Sequence, residues 1–341
     1  MRHIGRLGLG IAVWWLATLP TLAWDRGCDD SQPGYSESGD SACYRFSDEG
    51  SCFAQDTGCL GQTLANGRYQ SLFWVGVDSL WLTHSGSEFR SEILDPGNNT
   101  VTIAQTLDHG LPVAPRVRMG TLLLDSFRTE LSYFGTVGWE SSATLRNVAP
   151  LPDLDATIDY DAELHNVEWN FFGGQSEVDS HWLIGLRYLR YRDSFSEAYR
   201  LDTGFGPLIE ETARGEATND AFGPQAGVGL DLGGGSTRLH LGAKLGLMNN
   251  QVQQSGPGFN DAIVIDGIAE TTFDNDSNEF AWLGDLEVTL EHQVSRSVSF
   301  RLGYQGLFLD NVVQSATQNG QQSKASQISF HGLVLGAQWV R

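Results

Sequence analysis

The chain has 341 residues, with 42 acidic against 21 basic side chains, a formal charge of −21 and a sequence pI near 4.6. An acid excess of that size excludes a nucleic-acid binder held by phosphate contacts, which needs a basic face. With 40% hydrophobic and 11% aromatic residues, and 40 Gly against 10 Pro, the chain is neither disordered nor collagen-like, while its 18% charged residues fall below the roughly 25% usual in soluble domains.

Arg2, His3 and Arg6 precede an apolar stretch from Leu7 to Leu19, and Thr21-Leu22-Ala23 stand before Trp24. This is the pattern of a secretory signal over residues 1–23, cut near Ala23. The 13 apolar residues are too few for a transmembrane helix, which needs about 20. Since no other run approaches that length, an exported chain of this kind is either soluble outside the cytoplasm or a β-barrel. Residues 24–69 form an N-terminal segment expected on the periplasmic side, and all four cysteines, Cys28, Cys43, Cys52 and Cys59, lie in it. They are disulfide candidates in an oxidising compartment, with the pairing open. Their spacings match no zinc pattern built on close Cys pairs, so no metal is expected there.

From residue 70 to 341 a two-residue period recurs. Strands begin near Leu72 and Ala114, followed by Phe127, Leu131 and Tyr133 set against Arg128, Glu130 and Ser132. Val167, Trp169 and Phe171 then alternate with Asn166, Glu168 and Asn170, and further strands start near His181 and Ala221. Leu239, Leu241, Ala243, Leu245 and Leu247 share one face of the next, opposite Arg238, His240 and Lys244. Phe280, Trp282, Leu286, Val288 and Leu290 alternate with Glu279, Asp285, Glu287 and Glu291; Val298, Phe300, Leu302 and Tyr304 alternate with Ser299, Arg301 and Gln305; a last strand starts near Gln327. One face of each ribbon is apolar and the other polar.

That period alone fits a lipid-facing barrel and a soluble sandwich equally. The connections separate them. Short turns at Asp125-Ser126, Gly174 to Asp179, Gly233 to Ser236 and His292 to Arg296 alternate with long loops at about 83–113, 136–161, 192–220, 249–277 and 310–326. Short turns at one rim and long loops at the other mark an all-β, up-and-down antiparallel transmembrane barrel of about ten strands (10–12) in the bacterial outer membrane. The long loops carry a net −16 of the total −21, which makes an acidic outer crown. Trp169, Phe171, Trp182, Tyr188, Trp282, Tyr304, Phe308 and Trp339 suit interfacial girdles.

Lipid on the apolar faces leaves the polar faces to the lumen: Arg116, Arg118, Arg128, Glu130, Glu168, Arg187, Asp231, Arg238, Lys244, Asp285, Glu287 and Arg301. A barrel near eight strands has an interior that side chains fill, and open channels belong mainly to 16 strands or more. The expected function is a porin for small solutes or ions with a narrow lumen crossed by Arg–carboxylate pairs, the acidic crown concentrating cations at its mouth. The alternative is a closed barrel with a structural or surface-interaction role in the cell envelope. The expected partners are outer-membrane lipid, with small solutes or cations. No cofactor and no catalytic set is expected: Asp274-Asn275-Asp276-Ser277-Asn278 opens like a calcium loop but has Glu279 at the sixth place and Asp285 at the twelfth. His84, His109, His165 and His181 with Asp108 and Asp193 could form an acid–base site at the outer rim, but scattered loop histidines are more often solvated.

Val75-Gly76-Val77-Asp78-Ser79-Leu80-Trp81-Leu82, Leu131-Ser132-Tyr133-Phe134-Gly135 before Trp139, and Gly185-Leu186-Arg187-Tyr188-Leu189-Arg190 resemble the Putative beta-barrel porin family, type 7 of its series, typical of planctomycetes. The likeness continues in Phe222-Gly223-Pro224-Gln225-Ala226-Gly227, Lys244-Leu245-Gly246 with Asn249-Asn250, Arg301-Leu302-Gly303-Tyr304-Gln305 running into Leu307-Phe308-Leu309-Asp310, and Phe330-His331-Gly332, over residues 70 to 340. It implies an outer-membrane barrel without catalytic residues. The chain departs from the terminal Phe common in outer-membrane proteins, ending Trp339-Val340-Arg341.

Overall fold

In the computed structural model the described residues are 62–63, 69–70, 73–85, 88–94, 100–106, 111–124, 127–136, 138–146, 154–174, 180–201, 209–257, 272–315 and 326–341. The chain divides at Leu60/Gly61 into two units. The first, with the expected signal peptide and the disulfide candidates Cys28, Cys43, Cys52 and Cys59, lies outside the described residues.

The short strands β1 (Gln62–Thr63) and β2 (Tyr69–Gln70) pair with each other, and β4 (Glu88–Leu94) pairs with β5 (Thr100–Thr106). All the others join one antiparallel sheet: β3 (Phe73–Ser85), β6 (Val113–Leu124), β7 (Phe127–Gly135), β8 (Trp139–Leu145), β9 (Leu154–Gly173), β10 (Ser180–Leu201), β11 (Ile209–Leu232), β12 (Thr237–Pro257), β13 (Thr272–Gln293), β14 (Val298–Val312) and β15 (Ser326–Val340). Neighbours in sequence are neighbours in the sheet, and β15 returns to pair with β3, so ten strands close into a barrel with β8 as an extra piece. Closure reaches the last residue, since Arg341 N donates to Phe73 O at 3.0 Å. The described tight turn between β11 and β12 needs glycine, with φ of 103° at Gly233 and 69° at Gly235.

β8 continues the line of β7 along the same partner. β7 ends with Gly135 opposite His165, and β8 resumes with Trp139 opposite Ala162. Between them Gly138 takes φ 110°, and Thr136 supplies what the ladder loses: its N donates to Leu164 O, and its Oγ1 accepts from Leu164 N, each at 2.9 Å. This is a β-bulge, satisfied locally.

The outside of the barrel has two zones. Around the lower part runs a belt of outward apolar side chains, including Ile184, Val228, Leu245, Leu286, Phe300 and Leu302, all 52–63% exposed. It is flanked by Trp182, Phe127 and Trp339 toward the short turns and by Tyr133, Phe222, Phe280 and Trp282 toward the other end. Apolar exposure on this scale around a closed wall is a lipid-facing surface. Leu286, Trp282 and Phe300 thus face out rather than into a dry centre.

Strands β9 to β13 run 20 to 24 residues, about twice the 9–11 needed to cross a bilayer. Above the belt the pattern inverts. Ala156, Ile158, Tyr160, Ala162 and Leu164 turn inward and are buried, while Thr157, Asp159, Asp161 and Glu163 face out. This corrects the expected long loops at 136–161, 192–220 and 249–277, much of which is strand. The outer face here meets water, so carboxylates belong on it and the apolar residues move inside.

The belt yields a direct prediction. Leu286→Arg at mid-height should destabilise the folded barrel by about 2–4 kcal/mol, whereas Gln253→Arg above the belt should cost no more than about 0.5 kcal/mol. Urea unfolding in lipid vesicles reads both.

Candidate functional site

The lumen is built in layers, from the turn rim outward. At the rim is a cavity of about 700 Å³, bordered by the turn residues Gly235, Ser236 and Gln293 to Arg296. Trp74, Phe172, His181, Asp231 and His240 line it. The rings of His181 and His240 stack at 5.6 Å, and His240 Nδ1 lies 2.9 Å from Asp231 Oδ1. Arg128 sits over the Phe172 ring at 4.4 Å, and Arg118 over Trp74 at 5.3 Å.

The inner end of this vestibule is an ionic layer at the level of the belt. Asp78 Oδ2 accepts from Arg116 Nε at 2.7 Å and Arg118 Nε at 3.0 Å, and Arg301 Nη1 stands 3.8 Å away. Arg301 Nη2 also donates to Glu287 Oε1 at 3.0 Å, and Arg116 Nη1 donates across to Gln305 Oε1 at 2.9 Å. A second group centres on Arg187, which donates to Asp285 at 3.0 Å and to Asn166 at 2.6 Å, with Glu168 3.3 Å from its Nη2. Lys244 Nζ closes this group on Glu168 at 2.8 Å and Asp285 at 3.4 Å. Several of these contacts pair adjacent strands, but Arg116 with Gln305, Arg301 with Asp78, Arg187 with Asp285 and Lys244 with Glu168 join strands that are not neighbours and are struts across the lumen. Buried charges persist only when paired and hydrogen-bonded in this way.

Of the residues that alternation assigns to the lumen, Arg116, Arg118, Arg128, Glu130, Glu168, Asp231, Arg238, Lys244, Asp285, Glu287 and Arg301 all border the vestibule. Arg187 lies behind them with its side chain 0% exposed. Asp78, the acceptor shared by Arg116 and Arg118, is absent from that assignment. Its strand hides it: Val75, Val77 and Trp81 face out, but Leu80 and Leu82 follow Asp78 on the inner face, so no clean polar side is visible. Gln225, which donates to Glu168 at 3.1 Å and to Asn170 at 2.6 Å, is missed for a similar reason, lying between Gly223 and Gly227.

Above the ionic layer the lumen becomes apolar. One contiguous cluster takes Leu80 from β3, Phe134 from β7, Trp139 from β8, Leu164 from β9, Leu189 and Tyr191 from β10, Met248 from β12, Leu283 from β13, Leu307 from β14 and Phe330 from β15. Ala114 of β6 and Ala221 of β11 complete it, so every strand of the ring contributes. His84 lies within it, 5.1 Å from the Phe330 ring and 5.8 Å from that of Trp139, whose Nε1 donates to Leu82 O at 3.0 Å. A hydrogen-bonded chain runs outward from His84 through Tyr191 and Tyr160 to Asp193, at 3.4, 2.9 and 3.1 Å.

Asp193 stands above the belt, where the neighbouring outward residues are Arg192, Glu163 and Glu216, the first and last paired at 2.7 Å. There it meets the end of β14. Ser315 donates to it from N at 3.0 Å and from Oγ at 2.9 Å. Burial pushes the Asp193 carboxyl up to about 7, against the hydrogen bonds from Ser315 and Tyr160, which hold it down.

The family model described as Putative beta barrel porin-7 matches residues 135–338. The chain belongs to that family. No curated protein matches it in sequence. Among solved structures it is similar to the outer membrane protease OmpT of Escherichia coli, at 9% identity and TM-score 0.49, covering 79% of this chain and 96% of that one. It is also similar to the translocator domain of autotransporter NalP from Neisseria meningitidis (12%, TM-score 0.34, 80% and 89%) and a Pseudomonas aeruginosa FadL homologue (9%, TM-score 0.28, 79% and 89%). This member of the porin-7 family is an outer-membrane β-barrel.

Two predictions follow from these layers. Arg187→Ala leaves Glu168 and Asp285 short of a partner and should cost about 3–5 kcal/mol; Asp285→Asn in the same chain should recover part of it, read by urea unfolding. An unfolded Asp titrates near 3.9, so the folded chain holds the Asp193 proton up to about 7 after the unfolded chain has lost it. The contribution of Asp193 to stability is therefore fully present below about pH 4 and is lost as pH rises toward 7. Tyr160, Tyr191 and other titratable groups lie along the same chain, so the test is a difference: the drop in unfolding midpoint between pH 5 and pH 8 should be smaller in Asp193→Asn than in the unaltered protein.

Proposed function

We propose that this outer-membrane barrel is a closed, non-enzymatic envelope protein, seated in outer-membrane lipid and acting through its acidic outer collar. The observation that carries the reading is the apolar layer, to which every strand of the ring contributes and in which Leu80, Leu164, Leu189 and Phe330 are 0% exposed. A hydrated ion or polar solute would have to shed its water to pass such a layer. The collar above the belt carries outward Glu140, Asp159, Asp161, Glu163, Asp274 and Asp276, a field suited to divalent cations or a basic partner surface. The non-enzymatic reading is supported by the position of the acid–base chain from His84 to Asp193: all four of its residues are buried rather than opening on a cleft.

A second reading, a porin passing small solutes or ions through a narrow charged lumen, is favoured by the vestibule of about 700 Å³ with its ionic inner end. On that reading the apolar layer is a gate. Planar-bilayer recording and liposome swelling separate the two. The unaltered protein should give no discrete conductance steps, and Trp139→Ala with Phe330→Ala should admit ions while the barrel still resists SDS until heated. Discrete steps from the unaltered protein would overturn the closed reading.

A further inference from the structure

Strand β14 does not run straight out into its loop. Its pairing with β15 shifts between Leu309 and Val312, and Asn311 takes φ 64°, a left-handed conformation that Asn tolerates better than most residues. The chain then turns into the lumen, where Val312, Val313, Gln314 and Ser315 are all at most 5% exposed.

Inward side chains from three other strands hold this segment by its backbone. Asn219 of β11 grips Val313 twice, Nδ2 donating to Val313 O at 2.7 Å and Oδ1 accepting from Val313 N at 3.0 Å. Asn250 of β12 donates to Asn219 at 3.1 Å and to Asn311 O at 3.3 Å. Asp193 of β10 accepts from Ser315 N and Oγ. The Val313 side chain packs with Ala217 and Val252 in a small apolar cluster separate from the main one. A side-chain amide paired with both N–H and C=O of one residue imitates a strand partner, and it reads backbone rather than sequence.

We infer that Val313 to Ser315 is a releasable stopper in the outer lumen, latched by Asn219 and Asp193 and turned inward by the bend at Asn311. Val312 is still anchored, pairing with Ser326 of β15 and packing in the main apolar cluster, whereas beyond it the segment belongs to no strand, and hydrogen bonds from Asn219 and Asp193 grip its backbone. Such an element opens at lower cost than the wall around it. The apolar layer beneath has no such latch, because its residues stand on the strands themselves. The inference rests on the closed-lumen reading only for what release would expose; the movement itself is tested independently.

The test is maleimide labelling of Val313→Cys in the full-length protein folded in lipid vesicles, read at position 313 by peptide mass spectrometry. In the otherwise unaltered chain labelling should be slow. With Asn219→Ala and Asp193→Ala added it should become at least tenfold faster, with Asp193→Asn alone between the two. Leu283→Cys in the apolar layer reports on the wall and should stay unlabelled in both backgrounds. Equal rates at position 313 with and without the latch would overturn the inference. So would simultaneous gain of labelling at position 283, since the stopper would then be no separate unit. Conductance measured on the same variants distinguishes the two ideas: fast labelling without current keeps both the stopper and the closed layer, whereas current from the unaltered protein sinks only the latter.

Discussion

Lipid offers no hydrogen bonds, so every backbone group at the level of the belt must find its partner within the sheet. That forces closure, and this chain achieves it by returning β15 to β3 and carrying the ladder to Arg341. Closure with ten strands leaves an interior narrow enough for side chains to span. The lumen is therefore subject to the pairing rules of a protein core, as the struts of Arg116 and Arg187 show.

The same strands leave lipid and enter water part-way along, and the inversion of their two faces follows from that. At belt height the outward positions take Leu, Val and aromatic residues, so polar residues fall inside and must pair. Asp78 with Arg116 and Arg118, and Arg187 with Asp285, are the outcome. Higher up, outward positions can carry Asp159, Asp161 and Glu163, and the interior is free to be apolar. The Leu80–Phe330 cluster occupies that stretch. Its place begins immediately above the ionic layer: Leu189 follows Arg187 by two positions, and Leu283 lies two from Asp285, on the same inner faces.

This inversion also explains what could be read from the sequence. The belt halves of β12, β13 and β14 were legible because Leu241 to Leu247 or Phe300 to Tyr304 give a strong alternation with charges opposite. The upper halves alternate equally well, as Ala156 to Leu164 against Thr157 to Glu163 shows, but with opposite phase and beside acid-rich stretches that look like loop. Charged lumen residues on polar faces were legible for the same reason. Asp78 was not, because its face changes from polar to apolar at Leu80. The contacts that fill the outer lumen, Trp139 with Phe330 and Ser315 with Asp193, join residues 191 and 122 positions apart, and no local pattern carries such pairings.

Where the wall is irregular bears on which parts of it can move. The register shifts between Leu122 and Leu124 near the turn rim, and between Leu309 and Val312 and across Thr136 to Gly138 above the belt. Within the belt a freed N–H or C=O would go unsatisfied at a cost of several kcal/mol. Outside it, water and side chains can take over, and the chain uses short polar residues for the purpose: Thr136 substitutes for a ladder partner of Leu164, and Asn311 donates to Phe280 O at 2.6 Å. A backbone satisfied by side chains is held by contacts that a single rotamer change can break, whereas a ladder yields only strand by strand. The outer end of the barrel is thus the part where a local movement costs least, and it is there that Asn219 and Asp193 hold a segment which is not part of the wall.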